Sequence, residues 1–296
     1  VSTLNGGDDV DIAWSFTVGR GERLRFRVNC TTVLADGAIG YQITIRVIKN
    51  EPQKLEDLGL PKELVDNICP KTGLVLIVGA TGSGKSTLLA AVLAWKMRDP
   101  DANVKILTYE APIEFVYDSV YKPTVSVAQT EIGAHLKSFE HGVRNALRRK
   151  PSIILMGEMR DRETIGEGLV ASMTGHLVYG TLHADTVYDV IPRMVNVFDP
   201  GEKNAKVNDI LSSIKMIVAQ MLPRSTNGGR VAIREYLVFT QEIIEQLQKA
   251  DIDNMAYEVK QVLKTQGQTF ADDAMIKFNK GLIDEKTLKD ITRVST

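Results

Sequence analysis

The stretch Leu74-Val75-Leu76-Ile77-Val78-Gly79-Ala80-Thr81-Gly82-Ser83-Gly84-Lys85-Ser86-Thr87 decides the fold of this chain. An apolar run, Leu74–Val78, ends in a glycine-rich loop, and a helical pattern opens at Ser86. The loop matches G-x-x-x-x-G-K-[ST] without a gap, in the strand–loop–helix setting that gives the motif its meaning. Its glycines let successive backbone N–H groups turn inward around a phosphate, and the helix that follows adds its positive N-terminal end. Lys85 is placed to bridge β- and γ-phosphates and Ser86 to ligate Mg2+. Gly79, Thr81, Gly82, Ser83, Gly84, Lys85, Ser86 and Thr87 are therefore the candidate nucleotide-binding residues, with ATP and Mg2+ as the implied ligands. A ligand-free glycine turn would need its lysine and hydroxyl to follow the last glycine by accident.

Outward from this loop, short apolar strands alternate with amphipathic helices, the pattern of βαβ units around a parallel sheet. The sequence predicts strands at Leu74–Val78, Val104–Tyr109, Ser152–Met156, Leu177–Thr181 and Val231–Val238. Helices are expected over Ser86–Arg98, Ala134–Lys150, Arg162–Met173 and Lys206–Leu222, the last with Ile210, Ile214, Ile217, Val218 and Met221 as one stripe. Residues beyond Phe239 read as wholly helical.

The first fifty residues have a different rhythm. Val10, Ile12, Trp14, Phe16 and Val18 alternate with polar or small residues, as do Leu24, Phe26, Val28 and Cys30, and then Ile43, Ile45 and Val47. This is the two-residue period of strands that bury one face and show the other, arginines included, to solvent. A charged connector, Lys49–Asp57, carries Pro52 and marks a domain boundary. The expected division is an N-terminal domain over residues 1–50, a linker over 51–57 and an α/β domain over 58–296, its last part, from about 240, helical.

Lys and Arg (36) nearly balance Asp and Glu (37), so the strong basic bias of a protein that grips nucleic acid through phosphates is missing. Cys30 and Cys69 have neither metal-ligand nor disulfide spacing and read as buried small apolar residues of a reducing compartment. The longest stretch without Asp, Glu, Lys or Arg, Gly168–Ala184, holds two histidines and is too short for a membrane span. Val1–Asp9 is no signal peptide. A cytoplasmic protein is expected.

In an open α/β sheet, ligands sit at the carboxyl ends of the strands. One such end here carries Glu110-Ala111-Pro112-Ile113-Glu114, where Glu114 or Glu110 could polarise an attacking water. A second carries Gly157-Glu158, an acid after an apolar run, with glycine where many P-loop enzymes place aspartate. Metal ligation then rests on Ser86, with Glu158 acting through water. A third leads into His183, a candidate sensor of the γ-phosphate, whereas His176 at the start of that strand reads as structural.

Together these segments resemble the secretion ATPases, which include the pilus retraction motors and the type II and type IV secretion motors. The resemblance is carried by the Walker A loop Gly79–Ser86, an "Asp box" Thr108–Phe115, a Walker B segment Ile153–Asp161 and a "His box" Thr174–Ala184. Phe26-Arg27-Val28-Asn29 and Leu55-Glu56-Asp57-Leu58-Gly59 extend it to most of the chain. It implies a hexameric ring, a smaller α+β PAS-like N-terminal domain that starts mid-fold here, and a RecA-like P-loop NTPase domain. It also implies that Arg27 and Arg46 approach nucleotide, across a closing ring. Ala111 replaces the aspartate usual in retraction motors, which puts the catalytic weight on Glu114. The four-cysteine metal site of some type II motors is absent, and Glu242–Gln248 departs from the retraction motors' C-terminal helix. The likeness is greatest to the DotB-type ATPases of type IVB (Dot/Icm) systems, followed by a conjugation-plasmid motor.

The function implied is an ATP-hydrolysing motor acting on cytoplasmic components of a membrane secretion complex, peripheral to the inner membrane and without direct nucleic-acid contact. Two other readings stand beside it. One is an ATP-gated docking module, for which Glu114 and Glu158 would be superfluous. The other is a helicase-like DNA motor, favoured only by the cluster Arg144, Arg148, Arg149, Lys150.

Overall fold

A computed structural model describes residues 9–19, 22–48 and 51–295. Expectations for Val1–Asp8, Lys49 and Asn50 lie outside these. The N-terminal part is an antiparallel sheet ordered β1-β2-β3, from β1 (Val10–Gly19), β2 (Glu22–Ala35) and β3 (Ala38–Ile48). The remainder is a seven-stranded sheet ordered β10-β9-β4-β8-β7-β5-β6. Its strands are β4 (Gly73–Val78), β5 (Lys105–Glu110), β6 (Ser126–Glu131), β7 (Ile153–Met156), β8 (Leu177–Leu182), β9 (Ile214–Met221) and β10 (Ile233–Val238). All pair in parallel except β9 with β10.

The helices are α1 (Lys62–Asn67), α2 (Lys85–Arg98), α3 (Phe139–Ala146), α4 (Arg162–Met173), α5 (Val190–Val195), α6 (Lys203–Ser213), α7 (Gln241–Leu247), α8 (Met255–Gln266), α9 (Phe270–Asn279) and α10 (Glu285–Ser295). They cover both faces of the large sheet. Along β4, Leu74, Leu76 and Val78 turn toward a core shared with α4–α9, while Val75 and Ile77 turn toward α2. All five are fully buried, which is why the strand reads as a continuous apolar run. Helix α4 begins at a capping box in which Asp161 accepts from the Thr164 backbone, and α9 at one formed by Thr269 and Asp272.

Four expectations are corrected. Residues 206–222 are not one helix: α6 stops at Ser213 and β9 begins at Ile214. Ile214, Ile217 and Val218 fit a helical stripe, but a strand inserted between β4 and β10 is buried on both sides and shows no alternation to betray it. The helix expected over 134–150 is only Phe139–Ala146. Ser138 is extended and caps it by accepting from the His141 backbone, and Lys150, before Pro151, has left the helical region. The apolar face of the N-terminal sheet is not a core either. Trp14 is 51% exposed, Ile45 60% and Val47 70%, because nothing among the described residues covers that side. Cys30 and Cys69 are half-buried and free rather than buried. Strand β6 is an addition that its polar sequence, Ser-Val-Ala-Gln-Thr-Glu, did not announce. No helix of the described residues is long and apolar enough to cross a membrane.

Candidate nucleotide site

The carboxyl ends of β4, β5, β7 and β8 lie side by side in the sheet, so the segments that follow them converge. They line a cleft of about 580 Å3, and Arg27 and Arg46 close it from the N-terminal sheet. Thr81, Gly82, Gly84, Lys85, Ser86 and Thr87 line this cleft, while Gly79 and Ser83 line a separate hollow on the far side of the loop. Gly84 has φ 87° and Gly79 φ 142°, and a Cβ on Gly79 would stand 2.4 Å from the Gln220 carbonyl oxygen. Both positions thus require glycine.

Lys85 donates to the carbonyls of Gly79 (2.8 Å) and Ala80 (3.0 Å), folded over its own loop. Burial pulls its ammonium below the usual lysine range, and the carboxylates of Glu158 and Glu114 act the other way. Those acids hold the cleft ready for cation charge. Glu158 Oε1 lies 3.3 Å from His183 Nε2, with both side chains part-exposed to the cleft. The strands beneath them are tied by Thr181, whose hydroxyl donates to the Gly157 carbonyl, and by the Met159 amide, which donates to the Thr181 carbonyl at 2.8 Å.

Gly157 stands where an aspartate is common, and the packing gives the reason. A Cβ there would lie 3.1 Å from Glu110 Cα and would press on the end of β5. Glu110 itself is buried, accepting from the Thr108 hydroxyl at 2.7 Å, from the Glu114 amide at 3.4 Å and from Gln129 at 3.5 Å. Burial pushes its carboxyl up to about 7 against those hydrogen bonds. Glu114, by contrast, is exposed, so the inner acid holds the loop while the outer one faces the cleft.

Arg27 and Arg46 are direct cross-strand partners of β2 and β3. Like charges in such a pair repel, and their placement over a cleft calls for an anion between them. Asp11 offsets part of the repulsion, accepting from Arg27 Nη2 at 2.7 Å and from Nε at 3.2 Å. Both arginines line the cleft of their own chain's P-loop. His176 contacts the Ala171 carbonyl through Nδ1 at 3.0 Å, which fastens the turn between α4 and β8.

The donor set suits Mg2+, which is bound through one or two protein oxygens together with phosphates and water. Ser86 and Glu158 share the cleft, and no cluster of three His, Cys, Asp or Glu among the described residues offers an all-protein cage. Sequence reasoning missed Gln220 and Arg234, buried polar residues behind the loop at 4% and 2% exposure. The signal was there: Gln220 interrupts the apolar run Met216-Ile-Val-Ala-Gln-Met-Leu222.

Known proteins resemble this chain in sequence and fold. The chain is 43% identical to the Legionella pneumophila ATPase DotB, whose crystal structure superposes with a TM-score of 0.91 over 99% of this chain and 79% of that one. The pilus retraction motor PilT, solved with bound ADP, is 32% identical with a TM-score of 0.83, over 98% of this chain and 79% of that one. The type IV pilus retraction ATPase PilT of Pseudomonas aeruginosa is 42% identical over 223 residues, 74% of this chain and 61% of that protein. The chain spans about three-fifths of the length of these curated relatives. The family model for type II/IV secretion system proteins matches residues 10–288, and the chain belongs to that family.

Proposed function

We propose that this chain is an ATPase: it binds ATP with Mg2+ in the cleft, hydrolyses it to ADP and phosphate, and works as a homo-hexameric motor. In the finer reading it drives a type IV secretion machine of the IVB (Dot/Icm-like) kind, or a pilus-type machine, from the cytoplasmic face. The domain division proposed with it is 1–50, a linker over 51–57, and 58–296. The observation that carries the reading is the convergence in one cleft of Lys85, Glu114, Glu158 and His183 from four strand ends, with Arg27 and Arg46 opposite.

Each side chain has a task in that chemistry. The P-loop backbone holds the phosphate chain, and Lys85 exchanges its loop carbonyls for β- and γ-phosphate oxygens. Mg2+, held by Ser86, would neutralise charge on those oxygens. Glu158, steadied by His183, orients water toward the phosphate, with Glu114 as the cleft-facing general base and Glu110 as its support. Arg27 and Arg46 stabilise charge as the γ-phosphate leaves. Similarity to DotB and PilT supports the assignment to secretion and pilus machines.

The test is phosphate release from ATP and Mg2+ by wild type and by Glu158→Gln, with nucleotide affinity measured beside it. The variant should bind nucleotide as wild type does and turn over about 100-fold more slowly, as loss of a general base's water network does. No phosphate release by the wild-type hexamer, or unchanged turnover in the variant, would overturn the reading.

A further inference from the structure

A chain of buried and part-buried hydrogen bonds runs from the P-loop to two places outside the nucleotide cleft. The Gln220 side-chain amide donates to the Ser83 carbonyl at 2.6 Å, and its oxygen accepts from Arg234 Nε at 2.7 Å. Arg234 lies opposite Gln220 in the β9–β10 register. Its Nη1 donates to the carbonyl of Leu58, in the segment between the N-terminal sheet and α1, at 3.2 Å. Its backbone amide donates to Asp273 of α9 at 2.8 Å, and its carbonyl accepts from Gln268 at 3.2 Å. Gln220, Arg234 and Asp273 are all at least nine-tenths buried, so water cannot replace the links among Ser83, Gln220, Arg234 and Asp273, whereas the bonds to Leu58 and Gln268 are only part-buried.

Gln220 also sets the loop's clearance. Its side-chain nitrogen would lie 2.8 Å from a Cβ at Gly84, and its carbonyl oxygen 2.4 Å from one at Gly79. The side-chain amide is a rigid plane with its donor at one end and its acceptor at the other. A turn of the Ser83 carbonyl as the loop takes up phosphates would force the amide to follow or lose its partner, and following would swing the oxygen that holds Arg234. The guanidinium fork is rigid in turn, so its grip on Leu58 shifts with it.

We propose that Gln220 and Arg234 are positioning residues that couple the state of the P-loop to the Leu55–Leu58 junction beneath the N-terminal sheet and to α9. The inference rests on the cleft being the nucleotide site, and through it the placement of Arg27 and Arg46 over that cleft becomes conditional on what the loop holds.

Hydrogen exchange of the hexamer with and without ADP reads this coupling without requiring hydrolysis. Wild type should show nucleotide-dependent protection at residues 55–60 and 269–274 as well as at the P-loop. Arg234→Met, which does not touch the loop, should retain ADP affinity within about threefold and lose the distal response, with kcat lowered about tenfold or more by misplacement of the site. Arg234→Lys keeps the buried charge and one donor, and should restore part of both; it also serves if the methionine variant does not fold. The double variant with Gln220→Met should be no worse than the poorer single one, because a chain is cut only once. Distal protection surviving in the Arg234 variants, or additive losses, would overturn the coupling. ADP binding without any phosphate release from ATP would instead sink the catalytic reading and leave the coupling to be judged by exchange alone.

Discussion

The two sheets use the same apolar residue types and differ in what lies against them. Ile77 of β4 has the seven-stranded sheet's helices on its side and is fully buried, whereas Ile45 of β3 is 60% exposed. Full burial of such a side chain stabilises by about 1.5–3 kcal/mol, so the large sheet is fixed by its faces and the small one by its backbone ladder and polar side. The chemistry is divided accordingly. Groups that must be held in place, Lys85, Glu158 and His183, stand on ends of strands locked from both sides, while Arg27 and Arg46 stand on the layer with the weaker hold. The proposed motor, which would assemble its site by moving one layer against another, would be served by that division.

The largest effect should come from the rigid side. Lys85→Ala removes the one ammonium inside the loop, and loss of such electrostatic stabilisation costs about 3 kcal/mol or more, over 100-fold in turnover. A phosphate-release assay giving turnover within twofold of wild type would break the assignment of chemistry to the large sheet.

Stability tests the comparison directly. Ile77→Ala should lower the free energy of unfolding by about 2–5 kcal/mol, the cost of a cavity in a packed core. Ile45→Ala should lower it by less than about 0.5 kcal/mol, as exposed substitutions do. Denaturant melts giving comparable losses would mean that the small sheet's apolar face is covered in solution.

That face also marks the limit of what sequence could reveal. Alternation of Trp14, Phe16, Ile43 and Ile45 correctly placed these side chains on one side of three strands, but period says nothing about whether a second layer arrives. The nucleotide loop was legible because glycine spacing and the Lys-Ser pair depend on local geometry alone. Strand β9 was not, since its helical-looking stripe is resolved only by its neighbours β4 and β10. Gln220 shows in the sequence only as a polar break in an apolar run, and what it and Arg234 do does not, because their partners Ser83 and Leu58 lie 137 and 176 positions away.

The arginines give a smaller effect of opposite sense in two assays. Arg46→Ala should slow turnover about tenfold or more by removing charge opposite the γ-phosphate. It should leave stability unchanged or slightly raised, because a like-charged cross-strand pair with Arg27 is relieved. Wild-type turnover at saturating ATP would make Arg46 an ordinary exposed strand residue. A large drop in melting temperature would make it a structural one.

The smallest effect separates the two layers by pH. In the large sheet, Glu110 has its carboxyl raised from 4.5 to about 7 by burial. The folded chain therefore keeps a proton that the unfolded chain has already released, and the stability this group contributes falls as pH rises through that window, then levels off. Between pH 6 and 7.5 the fall is about 1 kcal/mol. In the small sheet, Asp11 is lowered by its hydrogen bond from Arg27, so its contribution is present at neutral pH and is lost only as pH drops through the carboxylate range. Exposure screens that pair and keeps its share slight. Glu110→Gln should remove about half of the decline of unfolding free energy between pH 6 and 7.5, the rest coming from Glu235, whose carboxyl burial likewise raises to about 7, and Asp11→Asn should leave the decline untouched. If Glu110→Gln shifts the whole curve without changing its slope, the acid is ionised throughout, and the support it gives the Glu114 amide is that of a buried anion rather than of a shared proton.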